Sequence, residues 1–273
     1  FLVAEGRSTP AMGAKAPAHG YVFELSAPRG LTPLTPLKPM GRFEHAGLAA
    51  DSASQVIYMA QAREECFGLF YRFKPSAWGQ LAQGGALEAL AIIGEPKADT
   101  RNAESDLMKL GRAYEVYWIP AASASPEDRE SKISTELYYT ATPAIFAPLS
   151  SIIHSQGRTL FVCATGGARG KGQLFELKGK RLALLEEFGD ESGPVYPTSL
   201  ALGRDGEIYI GERRDDGKPC RLFIKRPKGG YEVLLQTKPI DTPEAIGGLA
   251  LEEGILFATL SGSGRLVALI PQK

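Results

Sequence analysis

The sequence lacks the features that point to a membrane, nucleic-acid or redox protein. No apolar run approaches the roughly 18 residues that a membrane-spanning helix needs. The 31 acidic and 31 basic residues cancel, so no basic field is present to neutralise a nucleic-acid backbone. Cys66, Cys163 and Cys220 are widely spaced and form no CxxC pair, which indicates neither a zinc site nor a redox pair. We expect all three to be small buried hydrophobic residues.

The composition is that of a soluble globular protein. Apolar residues make up 44% of the 273 residues and charged residues 23%, which is typical of a chain with a packed core. We expect one domain over residues 1–273. Because Phe1–Ala4 already has the pattern of a strand, we also expect that domain to be incomplete at its N-terminus.

One pattern of strands and turns recurs along the chain. A strand of small residues leads through a tight turn into an aromatic strand and then a further strand, and this unit begins near residues 45, 151, 198 and 247. Repeats of about 40–50 residues with alternating apolar positions are typical of propeller blades, whose sheets pack on both faces. The pattern predicts an all-β propeller of four-stranded antiparallel blades, five in this chain and six in the full protein. A β-sandwich is the alternative.

A long insertion interrupts the repeats at about residues 94–142. Connections of this length are uncommon unless they cover a site or contact a partner. We expect a short helix over Ala103–Leu110, a strand over Tyr114–Ile119 and an exposed loop over Ala121–Lys132. Packing against the protein's own blades is the alternative to partner binding. The residues predicted to contact a partner are Leu107, Leu110, Tyr117 and Trp118.

Several stretches taken in order resemble the PhoX-type alkaline phosphatases, a family of exported propeller proteins. They are His19–Leu25, Gly41–Gly47, Gly68–Phe73, Leu81–Leu87, Gly172–Leu177 and Asp205–Glu212. The resemblance spans nearly the whole chain and implies a periplasmic or otherwise exported protein. It also implies a calcium and iron centre at the mouth of the propeller, held by carboxylates from the inner strands, because hard cations need several oxygen ligands.

The chain departs from the family at those ligand positions. The family's His-Glu-Gly becomes His45-Ala46-Gly47, and its paired acids become Gln61-Ala62. Its Arg-x-Glu-Gly becomes 148–151, Pro-Leu-Ser-Ser. Neutral side chains cannot offset the desolvation of a divalent cation. The resemblance therefore implies a degenerate site at Ala46, Ala62, Pro148 and Ser150.

A few acids remain as candidate ligands. Glu5 and Glu212 persist at strand ends that correspond to the family's, and Glu44 lies two residues before Ala46, on the same face of an extended strand. Glu64 and Glu65 follow the position of the lost acids, although adjacent acids in a loop are usually solvated.

Two other patterns favour structural roles more than chemistry. His19, His45 and His154 have no ligand-like spacing, so we expect hydrogen-bonding roles for them. The loop Thr165–Gly172 contains two cations and four glycines but lacks the residues of a P-loop, which leaves a candidate anion site.

Three functions are compatible with these features. The leading hypothesis is a non-catalytic PhoX-like propeller that acts as a binding or scaffold subunit for a protein partner or larger assembly, without a cofactor. The alternative is a calcium- and iron-dependent phosphoesterase with a rearranged site built from Glu5, Glu44 and Glu212. The third is a lectin-like binder of small ligands that uses Trp78 and Trp118.

Overall fold

The chain folds into successive groups of antiparallel strands. The structure, a computed structural model, describes residues 1–9, 17–25, 34–62, 67–121, 133–189, 192–238 and 244–271. An N-terminal pair comes first, followed by three groups of four strands and a last group of three. This confirms the all-β antiparallel organisation, while the number of blades in a complete propeller stays a prediction.

The strand bounds follow the predicted repeat. The N-terminal pair is β1 (Leu2–Ala4) and β2 (Val22–Glu24). The first group is β3 (His45–Asp51), β4 (Val56–Gln61), β5 (Phe70–Pro75) and β6 (Gly85–Ile92). The insertion contributes β7 (Ala113–Pro120) and α1 (Ile133–Thr140). The second group is β8 (Leu149–Ser155), β9 (Arg158–Cys163), β10 (Gln173–Lys178) and β11 (Arg181–Glu187). The third group is β12 (Pro197–Leu202), β13 (Ile208–Arg214), β14 (Arg221–Lys225) and β15 (Tyr231–Gln236). The fourth is β16 (Glu244–Glu252), β17 (Ile255–Leu260) and β18 (Arg265–Leu269).

Burial explains why the second strand of a group reads as a continuous apolar run. All six residues of β4 and five of the six in β9 are buried, because these strands have packed layers on both faces. β7 has one face toward solvent instead, and its residues alternate between exposed and buried over Ala113–Tyr117.

Four phenylalanines pack the first group against the second. The Phe161 ring lies 4.5 Å from that of Phe70 and 5.2 Å from that of Phe175. Phe146 meets Phe161 and Phe175 edge-on, at 5.4 Å from each. All four side chains are buried completely, and the edge-on and offset contacts add to the area that they bury.

The insertion joins two groups into one sheet. β7 pairs with β6 from Glu88↔Pro120 to Ile92↔Val116, and it also pairs with β11 from Arg181↔Glu115 to Ala183↔Ala113. The result is a nine-stranded sheet, in which β7 lies between the outer strands of the first and second groups. The strand predicted over Tyr114–Ile119 is confirmed.

The helix predicted over Ala103–Leu110 is wrong. This stretch is irregular, because the Asn102 side chain binds the backbone of Met108 at both its N–H (3.0 Å) and its carbonyl (2.8 Å). An amide side chain that pairs with nearby backbone in this way competes with helical hydrogen bonds. The helix of the insertion is α1, where Leu137 is buried. The loop predicted over Ala121–Lys132 lies outside the described residues apart from Ala121, which packs on the core of the first group.

Two of the three cysteines are placed as expected. Cys163 and Cys220 are both buried, and neither takes part in a disulfide, while Cys66 lies outside the described residues. Within the described part of the chain, no helix has the length and hydropathy that crossing a membrane requires.

Candidate functional site

Each group has a β-bulge at the same place in its first strand. The pairing register shifts between His45 and Gly47 in β3, and equivalent shifts occur in β8, β12 and β16. The first strands of successive groups lie side by side, so their bulges lie at one end of the protein, which we call the mouth. A bulge leaves one residue outside the ladder and redirects its side chain. The four bulge residues are Ala46, Ser150, Thr198 and Gly247.

Two bulge hydroxyls bind the next group. Ser150 Oγ donates to the carbonyl of Pro197 at 2.6 Å, and Thr198 Oγ1 donates to the carbonyl of Ile246 at 2.8 Å. In both cases the acceptor belongs to the first strand of the following group. These bonds connect strands that share no backbone ladder, so the bulge side chains hold neighbouring groups together.

Two of the four positions that the family resemblance assigns to the metal site are bulge residues at the mouth. Ala46 and Ser150, which replace two glutamates of the family pattern, are the bulge residues of neighbouring strands β3 and β8. Pro148 is half-buried just before β8, and Ala62 is half-buried just after β4. The sequence alone gave no reason to expect that two of these positions are structurally equivalent.

Glu5 is engaged by hydrogen bonds at the mouth. Its carboxylate accepts from the backbone N–H groups of Gly20 (2.6 Å) and Tyr21 (3.0 Å), and His19 Nδ1 lies 2.7 Å away. Burial raises the pKa of Glu5, but the bonds from Tyr21, His19 and Gly20 outweigh it and the net pKa is lowered. All three contacts are local to the N-terminal pair.

Glu212 is an ion-paired structural carboxylate. It has no solvent exposure, and its Oε1 accepts from Arg221 Nε (2.8 Å) and from the Arg221 N–H (3.1 Å). Its Oε2 accepts from Arg221 Nη2 (3.2 Å) and from the Val195 N–H (3.0 Å). A buried carboxylate is stable only when its lone pairs are satisfied in this way.

Glu5 and Glu212 share a role with a neutral residue. Gln61 Oε1 accepts from the Leu69 N–H (3.0 Å), just before β5. In the same way Glu5 accepts from Tyr21, just before β2, and Glu212 accepts from Arg221 at the start of β14. Each of these side chains stands at or near the end of one strand and binds the backbone where the next strand begins. An amide serves this purpose in the first group, so the role does not require a negative charge.

His45 lies in an apolar environment below the mouth. Its ring packs 4.0 Å from that of Phe43 and is 5% exposed. Neither ring nitrogen forms a hydrogen bond of normal geometry with a described residue, so the expected structural hydrogen bond of His45 is not seen. Burial lowers the pKa of His45 to about 4, against a smaller raising effect from the Gly20 backbone and the Glu5 carboxylate.

The acids that the structure describes are not clustered as the metal centre implied by the family resemblance would require. Among the described residues, no three His, Cys, Asp or Glu side chains are grouped so that they could hold a metal ion. Glu44 is half-buried, and Glu5 and Glu212 already use their oxygens for the bonds above. Glu64 and Glu65 lie outside the described residues.

The predicted partner-contact residues divide into two kinds. Leu107 and Trp118 are half-buried and pack on the core shared by the first and second groups. Leu110 is 64% exposed, and Tyr117 is 40% exposed with its hydroxyl 2.9 Å from Thr142 Oγ1. Part of the insertion therefore packs on the protein's own sheets, as the alternative hypothesis expected, and part faces solvent.

The glycine-rich loop Thr165–Gly172 already holds a carboxylate. Glu187 Oε2 accepts from the Ala168 N–H (3.3 Å), while its Oε1 accepts from Asn102 and Gln173. Arg169 donates to the Gly189 carbonyl and Lys171 to the Tyr196 hydroxyl. The Ala168 N–H and one donor each of Arg169 and Lys171 are therefore used within the protein, which argues against the candidate anion site.

Comparison with known proteins identifies the family and supports the fold. A profile of the family described as alkaline phosphatase PhoX matches residues 6–156, more than half of the chain. Among solved structures, PhoX of Pseudomonas fluorescens in complex with vanadate, a transition-state analogue, superposes with a TM-score of 0.62. The two are 15% identical over 89% of this chain, which spans 52% of the length of the Pseudomonas protein. No curated protein matches significantly.

The repeated antiparallel groups, their bulged first strands and the likeness to a solved structure define the class as an all-β protein with a PhoX-like fold. The chain belongs to the PhoX alkaline phosphatase family. The resemblance noted in the sequence is thereby confirmed.

Removal of the Glu212 charge should destabilise the protein. Glu212→Gln leaves the Arg221 guanidinium beside a neutral partner in a buried site, so we expect a loss of about 3 kcal/mol in the free energy of unfolding. Urea denaturation measures this loss. Glu232→Gln is the matched control, because it breaks an exposed pair with Arg226 and should have little effect. An unchanged stability together with the loss of a bound metal would instead identify Glu212 as a ligand.

Stability should also fall as the pH drops through the range set by His45. The folded pKa of about 4 lies below the ordinary 6.5, so between these values the unfolded chain binds the extra proton and stability decreases as pH falls. The full difference corresponds to about 3 kcal/mol. His45→Phe should flatten the dependence between pH 6.5 and pH 4, while His19→Gln, at an exposed site, should leave it in place. Equal profiles for the wild type and His45→Phe would contradict this assignment.

Proposed function

We propose that this protein is a non-catalytic member of the PhoX family that serves as a binding or scaffold subunit. It keeps the repeated sheets that position the mouth, while the side chains there bind the protein's own backbone. In this proposal it needs no metal cofactor, and it binds a protein partner or joins a larger assembly.

One observation carries the proposal. The four bulge residues of the first strands are Ala46, Ser150, Thr198 and Gly247, and none of them is a carboxylate. Two of them occupy positions where the family pattern has glutamates. Ser150 and Thr198 donate to carbonyls of the next group, so their oxygens contribute to packing between groups. Calcium needs six to eight oxygen ligands with enough negative charge among them, and alanine and glycine supply none.

The remaining acids give the alternative little support. A calcium- and iron-dependent phosphoesterase would need Glu5, Glu44 and Glu212 to act together. Glu212 is neutralised by Arg221, and Glu5 binds the N-terminal pair. A ligand role for either would require these bonds to break and a buried charge to be left without compensation.

The partner surface that we propose lies on the insertion. Leu110 and Tyr117 are the exposed members of the predicted contact set, and β7 holds Tyr117 on a strand paired on both sides. A side chain on a rigid strand loses less conformational freedom on binding than one on a loose loop. The family resemblance favours an exported, periplasmic location for this complex.

The proposal predicts that purified full-length protein contains no stoichiometric metal and hydrolyses no generic phosphomonoester. Metal content is measured by mass spectrometry, and hydrolysis of p-nitrophenyl phosphate is measured with and without added calcium and iron. We expect rates at the buffer background in both conditions. Stoichiometric calcium or iron together with turnover would favour the phosphoesterase.

A single restored ligand should not create activity. Ala46→Glu returns one carboxylate to the mouth, but Ala62, Pro148 and Ser150 still leave a cation with too few ligands and a phosphate without its arginine. Ala46→Gln is the control for side-chain size, and both variants should have background rates in the same assay. Measurable turnover by Ala46→Glu alone would contradict the idea that several ligands are missing.

A further inference from the structure

A polar cavity lies at the opposite end of the first strands from the mouth. It has a volume of about 310 Å³, at the lower end of the roughly 300–1,000 Å³ range of small-molecule sites. Asp51 ends β3 five residues after Ala46, which places the cavity about 17 Å from the bulges along the strand. Its polar lining comes from the first and second groups and consists of Asp51, Ser54, Tyr58, Arg72, Lys74, His154 and Thr159.

The two sides of the cavity differ in charge. Lys74 is exposed and makes no ion pair with a described residue. Arg72 lies beside it on β5, where its guanidinium stacks 4.4 Å from the Trp118 ring and its Nε donates to Glu88 at 2.6 Å. On the other side, Asp51 Oδ1 lies 3.5 Å from His154 Nε2. The cavity therefore offers a cation on one side and a carboxylate with an imidazole on the other.

Hydrogen bonds hold the polar side chains in place on the side of the cavity that contains Asp51 and His154. Asp51 Oδ1 accepts from the N–H groups of Ala53 and Ser54, both at 3.1 Å, and His154 Nδ1 lies 2.9 Å from Thr159 Oγ1. The Tyr58 ring stacks on His154 with centroids 5.9 Å apart. Burial and the nearby Asp51 carboxylate raise the pKa of Tyr58, so its hydroxyl remains a neutral donor at neutral pH. Preorganised polar groups beside an aromatic ring are typical of sites that orient a small polar ligand.

The fold itself does not require these residues. A second cavity, of about 330 Å³, lies between the third and fourth groups. The strand registers show that Tyr209 of this cavity corresponds to Tyr58 of the first cavity. There Gly203 corresponds to Asp51, Leu251 to His154, and Ile224 to Arg72. The remaining lining of the second cavity is largely acidic: Asp205, Glu207, Glu252 and Glu253. The same architecture thus carries either set of residues.

We infer that the cavity between the first and second groups binds a small hydroxylated organic anion. Lys74, assisted by Arg72, contacts the carboxylate or phosphate group of the ligand, while Asp51 accepts from its hydroxyls and Tyr58 donates to them. A bare anion would meet the repulsion of Asp51, and a neutral polyol would gain no attraction from the charge of Lys74. The cavity therefore selects molecules that carry both groups.

Titration calorimetry with defined probes tests this inference. D-Glycerate and glycerol 3-phosphate carry both groups, with a carboxylate in one and a phosphate in the other, and binding of at least one is expected at or below about 10 mM. Acetate, inorganic phosphate and glycerol each carry one group and should bind at least about tenfold more weakly. If neither two-group probe binds in this range, or if acetate or phosphate binds equally well, the inference is wrong.

Matched variants place the binding in this cavity. Lys74→Gln should weaken binding of the two-group probe at least about tenfold, since it removes the unpaired charge. Lys178→Gln is the control, because Lys178 holds the corresponding strand position in the second group but does not line the cavity. Asp51→Asn keeps the acceptor for Ala53 and Ser54, so it should fold. It should weaken binding of the two-group probe but strengthen binding of acetate, because it removes the repulsion that a bare anion meets. Thermal unfolding checks that each variant folds. Equal losses in Lys74→Gln and Lys178→Gln, or no loss in either, would overturn the assignment.

Discussion

The structure depends on how its first strands contact one another without a shared ladder. A bulge in each first strand breaks the regular pairing, and the neighbouring backbone groups still need partners. Serine and threonine side chains meet that need: Ser150, Thr198 and Ser199 donate to carbonyls of the following group, and Ser151 accepts from the Leu200 N–H. The ends of these strands at the mouth are therefore occupied by short hydroxyl bridges.

This constraint also limits what the mouth can evolve to do. Where the bulge side chain is a hydroxyl, its O–H is directed at a carbonyl of the next group, and the neutral oxygen brings no negative charge to a cluster of cation ligands. Gly47, one residue after the first bulge, has Ile152 of β8 so close that an added Cβ would lie 2.9 Å from its Cγ2. A side chain at Gly47 would therefore push the first and second groups apart.

The sequence predicted the groups well because its signals are local. Alternating apolar residues, tight turns and small residues in first strands are visible within about ten residues of each other. Two features were not predictable. The strand β7 was predicted, but its place between β6 and β11 is set by residues distant in sequence. The shape of the Ala103–Leu110 stretch is set by Asn102, a single side chain.

The family pattern pointed to particular residues at the mouth, but it did not show what those residues do in the structure. Comparison with the family pattern identified Ala46 and Ser150, yet their equivalence as bulge residues emerges only from the strand registers. Glu5 and Glu212 look like surviving ligands in sequence, because a pattern shows a carboxylate but not the N–H groups that it binds. Lys74, Asp51 and His154 come from three separate strands, and no spacing in the chain relates them. A position-by-position alignment of the repeats would have drawn attention to these three residues.

The placement of β7 has a consequence for the order in which the protein folds. Its partners are Glu88–Ile92 on one side and Arg181–Ala183 on the other. The pairing of Ala113 with Ala183, which completes the nine-stranded sheet, spans 70 residues of chain. Contacts this distant in sequence form slowly, because loop closure precedes any gain from pairing. On the ribosome, β7 can pair with β6 at once, but it would wait for most of the second group to be synthesised before it meets β11. During that interval β7 would carry one unpaired edge, which is the condition that favours association with another chain.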